Sequence, residues 1–413
     1  MVFPRVVVTG IGAVTPIGND AETFWRNVVA GKTGIGPITQ FDASKHSVRI
    51  AAEVKGFDPA EVMDHRTARR SARFSQLALK AAKEALVSAK IELNDELARE
   101  MGVVMASTGG VFEMGREETV IDERGPGRVD PLIIPKLGPH MSAGRIGRQL
   151  GLRGPNSSVN SACASATDAL GNAFNMIRTG SAEILLSGGT EAIINPVAVA
   201  TMAQMGALSK GFNDTPEQAS RPFDLKRDGF VLGEGAGVLV LESEEHARAR
   251  GATILAEYIG AGWSFDATDD AAPDKVGQSL AMSRALKSAG ISGADVSWLN
   301  AHGTGTPYND KTETAAIKLA FGEEAAYRAK ISSIKSMTGH SAAAAGGIEA
   351  VASVLAIRDN VIPPTIHYDF PDPECDLDYT PNKAREAQID IVLSNSFGMG
   401  GQNASLILRR WRD

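Results

Sequence analysis

Val159-Asn160-Ser161-Ala162-Cys163-Ala164-Ser165-Ala166 decides how this chain is read. A short strand over Asn156–Val159 runs into a turn of small residues, and a helix-prone run follows from 164 to 177, closed by Thr179-Gly180. That order predicts a strand-to-helix elbow with a thiol on the first turn of the helix. Free backbone N–H groups and the positive end of the helix dipole lower a thiol pKa there and favour the thiolate nucleophile. The plain alternative is a buried structural cysteine, the commoner fate of a lone Cys. Two histidines further along argue against it. His302 lies in NAHGTGTP (300–307) after the strand-like 296–299, and His340 ends KSMTGH (335–340) after the strand-like 331–334. Open α/β sheets hold their sites at the carboxyl ends of strands. One thiol and two imidazoles, each at such an end, form a candidate reactive set.

The rest of the chain agrees with an enzyme of that architecture. At 413 residues and 43% hydrophobic, it can bury a large core in two domains or two packed halves. The glycines cluster at strand ends rather than in a repeat. A net charge of −7 argues against general nucleic-acid affinity. The two cysteines, 163 and 375, give no disulfide framework, and a free thiol suits a cytoplasmic enzyme. Val6-Val7-Val8 begins a strand almost at once, leaving no room for a signal peptide, and no apolar run approaches the ~20 residues of a membrane span. Strand candidates at 101–106, 184–187, 237–241 and 391–394 alternate with helical stretches at 69–88, 276–289 and 313–320, an α/β pattern. SVNS (158–161) leads into the Cys163 helix much as SIKS (333–336) leads toward His340 and its Ala/Gly-rich run. That echo suggests two fused α/β halves, 1–250 and 251–413, with the junction near Gly251. There is no HxxxH or CxxC spacing for a metal, and GEGAG (233–237) lacks the third glycine and following helix of a dinucleotide fingerprint, so no cofactor is expected.

Seven landmarks in order carry a family resemblance: RVVVTGIGAVTP (5–16), GLRGP (151–155), the Cys163 elbow, RPFD (221–224) with RDGFVLGEGAG (227–237), the two histidine segments, and NSFGMGGQN (395–403). Across nearly its whole length the chain resembles the β-ketoacyl-[acyl-carrier-protein] synthases of the type I/II class. The resemblance implies a thiolase-like fold of two similar α/β halves packed as a five-layered αβαβα sandwich. It also implies a decarboxylative Claisen condensation in fatty-acid chain elongation. Cys163 would hold the acyl chain as a thioester. The N–H groups of Cys163 and Met399 would form the oxyanion hole, each donor worth about 3 kcal/mol. His302 and His340, neutral and presenting Nε2–H, would meet the enolate oxygen left when malonyl carrier loses carbon dioxide. Lys335, Glu349, Asp310 and Glu313 would hold the histidines through a buried network, against the alternative of an ordinary surface lysine and solvated carboxylates. Thr304 and Thr306 would contact pantetheine, or serve only as turn residues.

Because acyl carrier proteins are acidic, a basic patch is expected. Arg66, Arg69, Arg70 and Arg73, at helical spacing, supply it unless they form a solvated helix face paired to local Glu; Lys210 is a weaker candidate. The acyl pocket implied by the resemblance comprises Thr108, Ile133, Met202, Phe397 and Met399. Met399 stands where the family usually has a gating phenylalanine, and an adaptable methionine there implies tolerance of long or branched primers. A homodimer is implied as well. The rival readings are a discrete ketosynthase of a polyketide or specialised-lipid pathway and a non-catalytic partner subunit of the chain-length-factor kind. Cys163 counts against the latter, and the absence of a second cysteine in the 398–401 turn counts against a thiolase.

Overall fold

VVVTGIGAV at Val6–Val14 and GAGVLVLES at Gly235–Ser243 are buried at every position, as strands covered by helices on both faces must be. A computed structural model describes residues 3–269 and 272–412. Its large sheet runs in the order Ile331–Ser332, Trp298–Asn300, Ile391–Phe397, Gln402–Arg409, Ala256–Phe265, Val6–Val14, Gly235–Ser243, Ile184–Glu191, Gly102–Ala106 and Asn156–Val159. Within each half, strands numbered in chain order lie as 3-2-4-5-1 from the outer edge inward. In both halves strands 3, 2 and 4 are parallel and strand 5 is antiparallel to its neighbours. The halves meet where Val6, Val7 and Val8 pair with Tyr258, Glu257 and Ala256. Two α/β halves of one topology are therefore present, as the echo suggested.

Helices Ser165–Arg178 and Ala345–Asp359 each pack against strands of both halves and form the middle layer. The second, AGGIEAVASVLAIRD, has no solvent face and is buried from Ala345 to Ile357. Its close approach depends on glycine: a Cβ on Gly237 would lie 2.2 Å from the Gly347 carbonyl carbon. Arg73–Ser88 and Met141–Leu150 cover the outer face of the first half, and Lys275–Ala289, flanked by Pro307–Phe321, covers that of the second. The result is the αβαβα order.

Two local expectations change. The helix predicted over 69–88 is two helices, His65–Arg69 and Arg73–Ser88. Ser71 Oγ donates to the Thr67 carbonyl, and Gln76 Nε2 donates to the Ala68 and Ser71 carbonyls, satisfying the groups freed at the break. The strand expected over 331–334 stops at Ser332, and Lys335–Thr338 forms a single helical turn. Among the described residues, no helix is long and apolar enough to cross a membrane.

Candidate active site

The elbow forms as the small residues at 161–166 allow. Ala162 takes φ +50°, Ala162–Ala164 makes a 3-10 turn, and the helix Ser165–Arg178 follows. Ser165 Oγ pins the bend, accepting from Ser161 N (2.8 Å) and donating to the Ala162 carbonyl (2.6 Å). The same device recurs in the other half: Ala342 has φ +42°, Ala342–Ala344 is a 3-10 turn, and Ala345–Asp359 follows. Cys163 thus has Ala343 as its counterpart, and the two elbows pack against each other.

Both histidines follow strands of the second half, His302 directly and His340 after the helical turn Lys335–Thr338. The loop after Trp298–Asn300 is anchored by Glu313, which accepts from His302 N (2.8 Å), Gly303 N (2.7 Å) and Asn395 Nδ2 (3.2 Å). Asp310 accepts from Phe223 N (2.7 Å) and Gly305 N (3.2 Å). His340 is strapped to the 231–233 segment, its N–H donating to Val231 O (2.7 Å) while Gly233 N donates to its carbonyl (2.9 Å). The two rings stand 5.3 Å apart at 86°. Cys163, His302, His340, Thr304, Thr306, Phe397 and Met399 line one cavity of about 380 Å³.

Burial sets the charge states. It pushes both histidines well below the ordinary imidazole value, with the Lys335 cation adding to the effect, so both rings are neutral near pH 7. Nδ1 of each ring is buried without a hydrogen-bond partner among the described residues, which leaves Nε2 to meet a ligand. The thiol differs from the sequence expectation. Burial pushes the Cys163 pKa up, outweighing the Met399 N–H, the Lys335 charge and its own N–H, while nearby Glu191 raises it further. The shift favours the thiol over the thiolate: the helix end supplies donors, but desolvation outweighs them.

Lys335 and Glu349 form a buried ion pair, each about 1% exposed. Asp310 and Glu313 are fully buried, and desolvation raises both, Glu313 to about 7. The reading of these four as surface groups is excluded. Thr306 serves the turn, capping Pro307–Phe321 through Asn309 N; its hydroxyl lies 3.0 Å from that of Thr304, and both residues line the cavity. In the 398–401 turn, Gly398 rests on the Ser161 carbonyl and the Met399 N–H points to the thiol.

Three expected acyl-pocket residues do not line this cavity. Thr108 Oγ1 donates to Glu191 at 2.6 Å, Ile133 packs with Ala72, Phe74 and Leu137, and Met202 joins the cluster of Ile193, Ile194 and Val199. Among the basic residues, Arg66, Arg69 and Arg70 are exposed, but Arg73 is not available for docking. It begins the second of the two helices, and its guanidinium grips the buried Glu234 at 2.7 and 2.8 Å. Sequence reasoning missed Phe230, whose ring meets His340 edge-on at 5.2 Å, and Glu191, a fully buried carboxylate pushed to about 7. Phe230 was within reach inside RDGFVLGEGAG. Glu191, closing the strand Ile184–Glu191, gave no local sign of what it would face.

Residues 4–247 match the model of the beta-ketoacyl synthase N-terminal domain, and 255–369 that of the C-terminal domain. The chain is 46% identical over 411 residues to the 3-oxoacyl-[acyl-carrier-protein] synthase 2 of Synechocystis sp., covering 99% of this chain and 98% of that one. It is 47% identical over 412 residues to the enzyme of the same name from Staphylococcus aureus, covering 98% of each. A solved type II polyketide ketosynthase in complex with its acyl-carrier protein superposes with a TM-score of 0.89 at 34% identity, covering 100% of both chains.

Proposed function

The chain belongs to the beta-ketoacyl synthase family, and on that premise we propose how its residues join an acyl chain to a two-carbon unit on a carrier protein. The protein is a 3-oxoacyl-[acyl-carrier-protein] synthase: it condenses an acyl group with malonyl carrier protein, releasing carbon dioxide, in fatty-acid elongation. The Cys163 sulfur attacks the acyl thioester, and its proton passes to the departing carrier thiolate. The N–H groups of Cys163 and Met399 receive the oxyanion. Malonyl carrier then loses carbon dioxide, and the electron pair moves onto the thioester oxygen, where His302 and His340 donate from Nε2. The enolate carbon attacks the acyl group, and Cys163 leaves as thiolate and takes up a proton. Lys335, Glu349, Asp310 and Glu313 position the histidines, while Thr304 and Thr306 receive the pantetheine arm. One observation supports this most: a thiol and two rings held neutral by burial share one cavity.

Acyl carrier protein is the partner, docking in our reading on Arg66, Arg69 and Arg70. We place Thr108, Ile133 and Met202 on an acyl path apart from the main cavity. The boundary between halves falls at 250/251, before the strand Ala256–Phe265. A homodimer is favoured by the free outer edge of the sheet at Asn156–Val159, whose first residues are exposed. Two free cysteines suit the reducing cytoplasm. Intact-protein mass spectrometry tests the chemistry. Acyl carrier should add one acyl group at Cys163, and malonyl carrier should remove it. Cys163→Ala should take up none, and His302→Ala or His340→Ala should suppress decarboxylation more than loading. Condensation by Cys163→Ala would refute the assignment.

A further inference from the structure

Apart from the Cys163 cavity, a second cavity of about 550 Å³ opens where Arg66 and Arg70 meet the helix Met141–Leu150. Arg66, Arg70, Arg145 and Arg148 line it, above an apolar wall of Leu132, Pro135 and Met141. Arg145 and Arg148 are one turn apart and share a helix face. The lining holds a single carboxylate, Asp64, already occupied by the backbone N–H and hydroxyl of Thr67. Four arginines thus line a cavity that holds one engaged carboxylate.

Arg145 is the decisive residue. It is 6% exposed, yet none of the ion pairs among the described residues includes it. Its Nη2 donates to the Arg70 carbonyl at 2.8 Å, and its Nε is buried without a partner. Burial and the neighbouring Arg148 both lower its pKa, which marks the charge as uncompensated. Buried charges are ordinarily paired, because an unpaired one costs several kcal/mol. A counter-ion completes the arrangement.

We propose that this cavity binds a phosphate monoester, its dianionic head held by Arg145 and Arg148 with Arg66 and Arg70 at the rim, and its organic body against Leu132, Pro135 and Met141. A phosphate dianion offsets more of the excess charge than a carboxylate, and its oxygens match the guanidinium fork. The apolar wall gives the cavity room beyond the phosphate itself. The inference needs no residue of the Cys163 cavity, while Arg66 and Arg70 at the rim are shared with the carrier docking proposed above, so Arg145 and Arg148, which docking does not use, carry its test.

The test is thermal unfolding of the full chain in phosphate-free buffer at constant ionic strength, with phenyl phosphate as probe and benzoate and chloride as controls. Phenyl phosphate at about 100 times its dissociation constant should raise Tm by about 3 °C for a chain of this size. Arg145→Gln should leave the probe-free Tm unchanged or higher, because it removes an unpaired charge, and should abolish the shift. Should that variant misfold, exposed Arg148→Gln decides by calorimetry, with an affinity loss of at least about tenfold. No shift beyond chloride, an equal shift with benzoate, or an undiminished shift in both variants would overturn the proposal.

Discussion

Gly398→Ala isolates the Met399 donor. The Cβ it adds would lie 2.6 Å from the Ser161 carbonyl oxygen and 3.0 Å from that of Gln402. Carbon and oxygen tolerate about 3.3 Å, so the turn must move by roughly 0.7 Å. It moves as a unit, because Gly398 N is bonded to the Gln402 carbonyl at 2.6 Å and Gly401 N to the Gly398 carbonyl at 3.0 Å. The Met399 N–H would then leave the thiol, and an oxyanion donor works only within about 2.7–3.1 Å of its oxygen. Loss of one such donor costs about 10²–10³ in rate. Both tetrahedral steps, acyl loading and condensation, should slow by that factor. Decarboxylation of malonyl carrier, which we assign to His302 and His340, should stay within about threefold of wild type. Rapid-quench mass spectrometry reads loading, and labelled carbon dioxide reads decarboxylation, with circular dichroism confirming the fold. Loading at the wild-type rate in a folded Gly398→Ala would refute the role given to Met399.

The charge states set opposite pH behaviour for the two half-reactions. With the Cys163 thiol raised, loading should climb steadily from about pH 7 to about pH 9. With both imidazoles depressed, decarboxylation by Cys163→Ala should be flat down through about pH 6.5, and a step there would contradict neutral rings at rest. Lys335→Met leaves Glu349 unmatched in the core, a loss of about 3–5 kcal/mol; Lys335→Met with Glu349→Leu should recover most of the Tm but none of the decarboxylation. Arg69→Glu should raise KM for carrier-bound substrates about tenfold and leave loading from a small acyl thioester unchanged, as paired rates would reveal. Arg73→Ala should instead lower Tm, because it strands the buried Glu234.

What was legible depended on whether a residue's setting is written in its neighbours. The Cys163 elbow and the His302 loop declare themselves through small residues and glycines beside strand ends and appear where expected; the His340 loop is marked the same way, but the helical turn Lys335–Thr338 separates it from its strand. The break between Arg69 and Arg73 was hidden because it depends on Gln76 reaching back to two carbonyls, a bond that helical periodicity does not encode. Arg73 read as one more exposed cation because Glu234, its partner, lies far along the chain. The thiol's charge state failed for a related reason. The helix end is local and visible, whereas the desolvation that overrides it comes from packing of distant segments, with the charge of Glu191 adding to it. Thr108, Ile133 and Met202 were placed by likeness to a family, and likeness fixes a position in the chain more securely than a position on a cavity wall.

The duplicated topology explains why one half cannot hold this chemistry. The elbows at Ala162 and Ala342 share a backbone form and an order of turn and helix, yet the residue that is a thiol in one is Ala343 in the other. In the mechanism we propose, the second half, freed from bearing a nucleophile, contributes the groups that meet developing negative charge: His302 from the end of its second strand, His340 beyond its third, and the Met399 N–H after its fourth. These groups reach the sulfur because Ser165–Arg178 and Ala345–Asp359 pack side by side between the half-sheets, bringing both elbows to one end of the middle layer. Glycine permits that packing, with Gly237 against Gly347 and Gly189 against Ala343 and Ala344. A side chain at Gly347 would push Ala345–Asp359 off the sheet, carry the His340 elbow with it, and part imidazole from thiol while leaving every reacting residue in the chain.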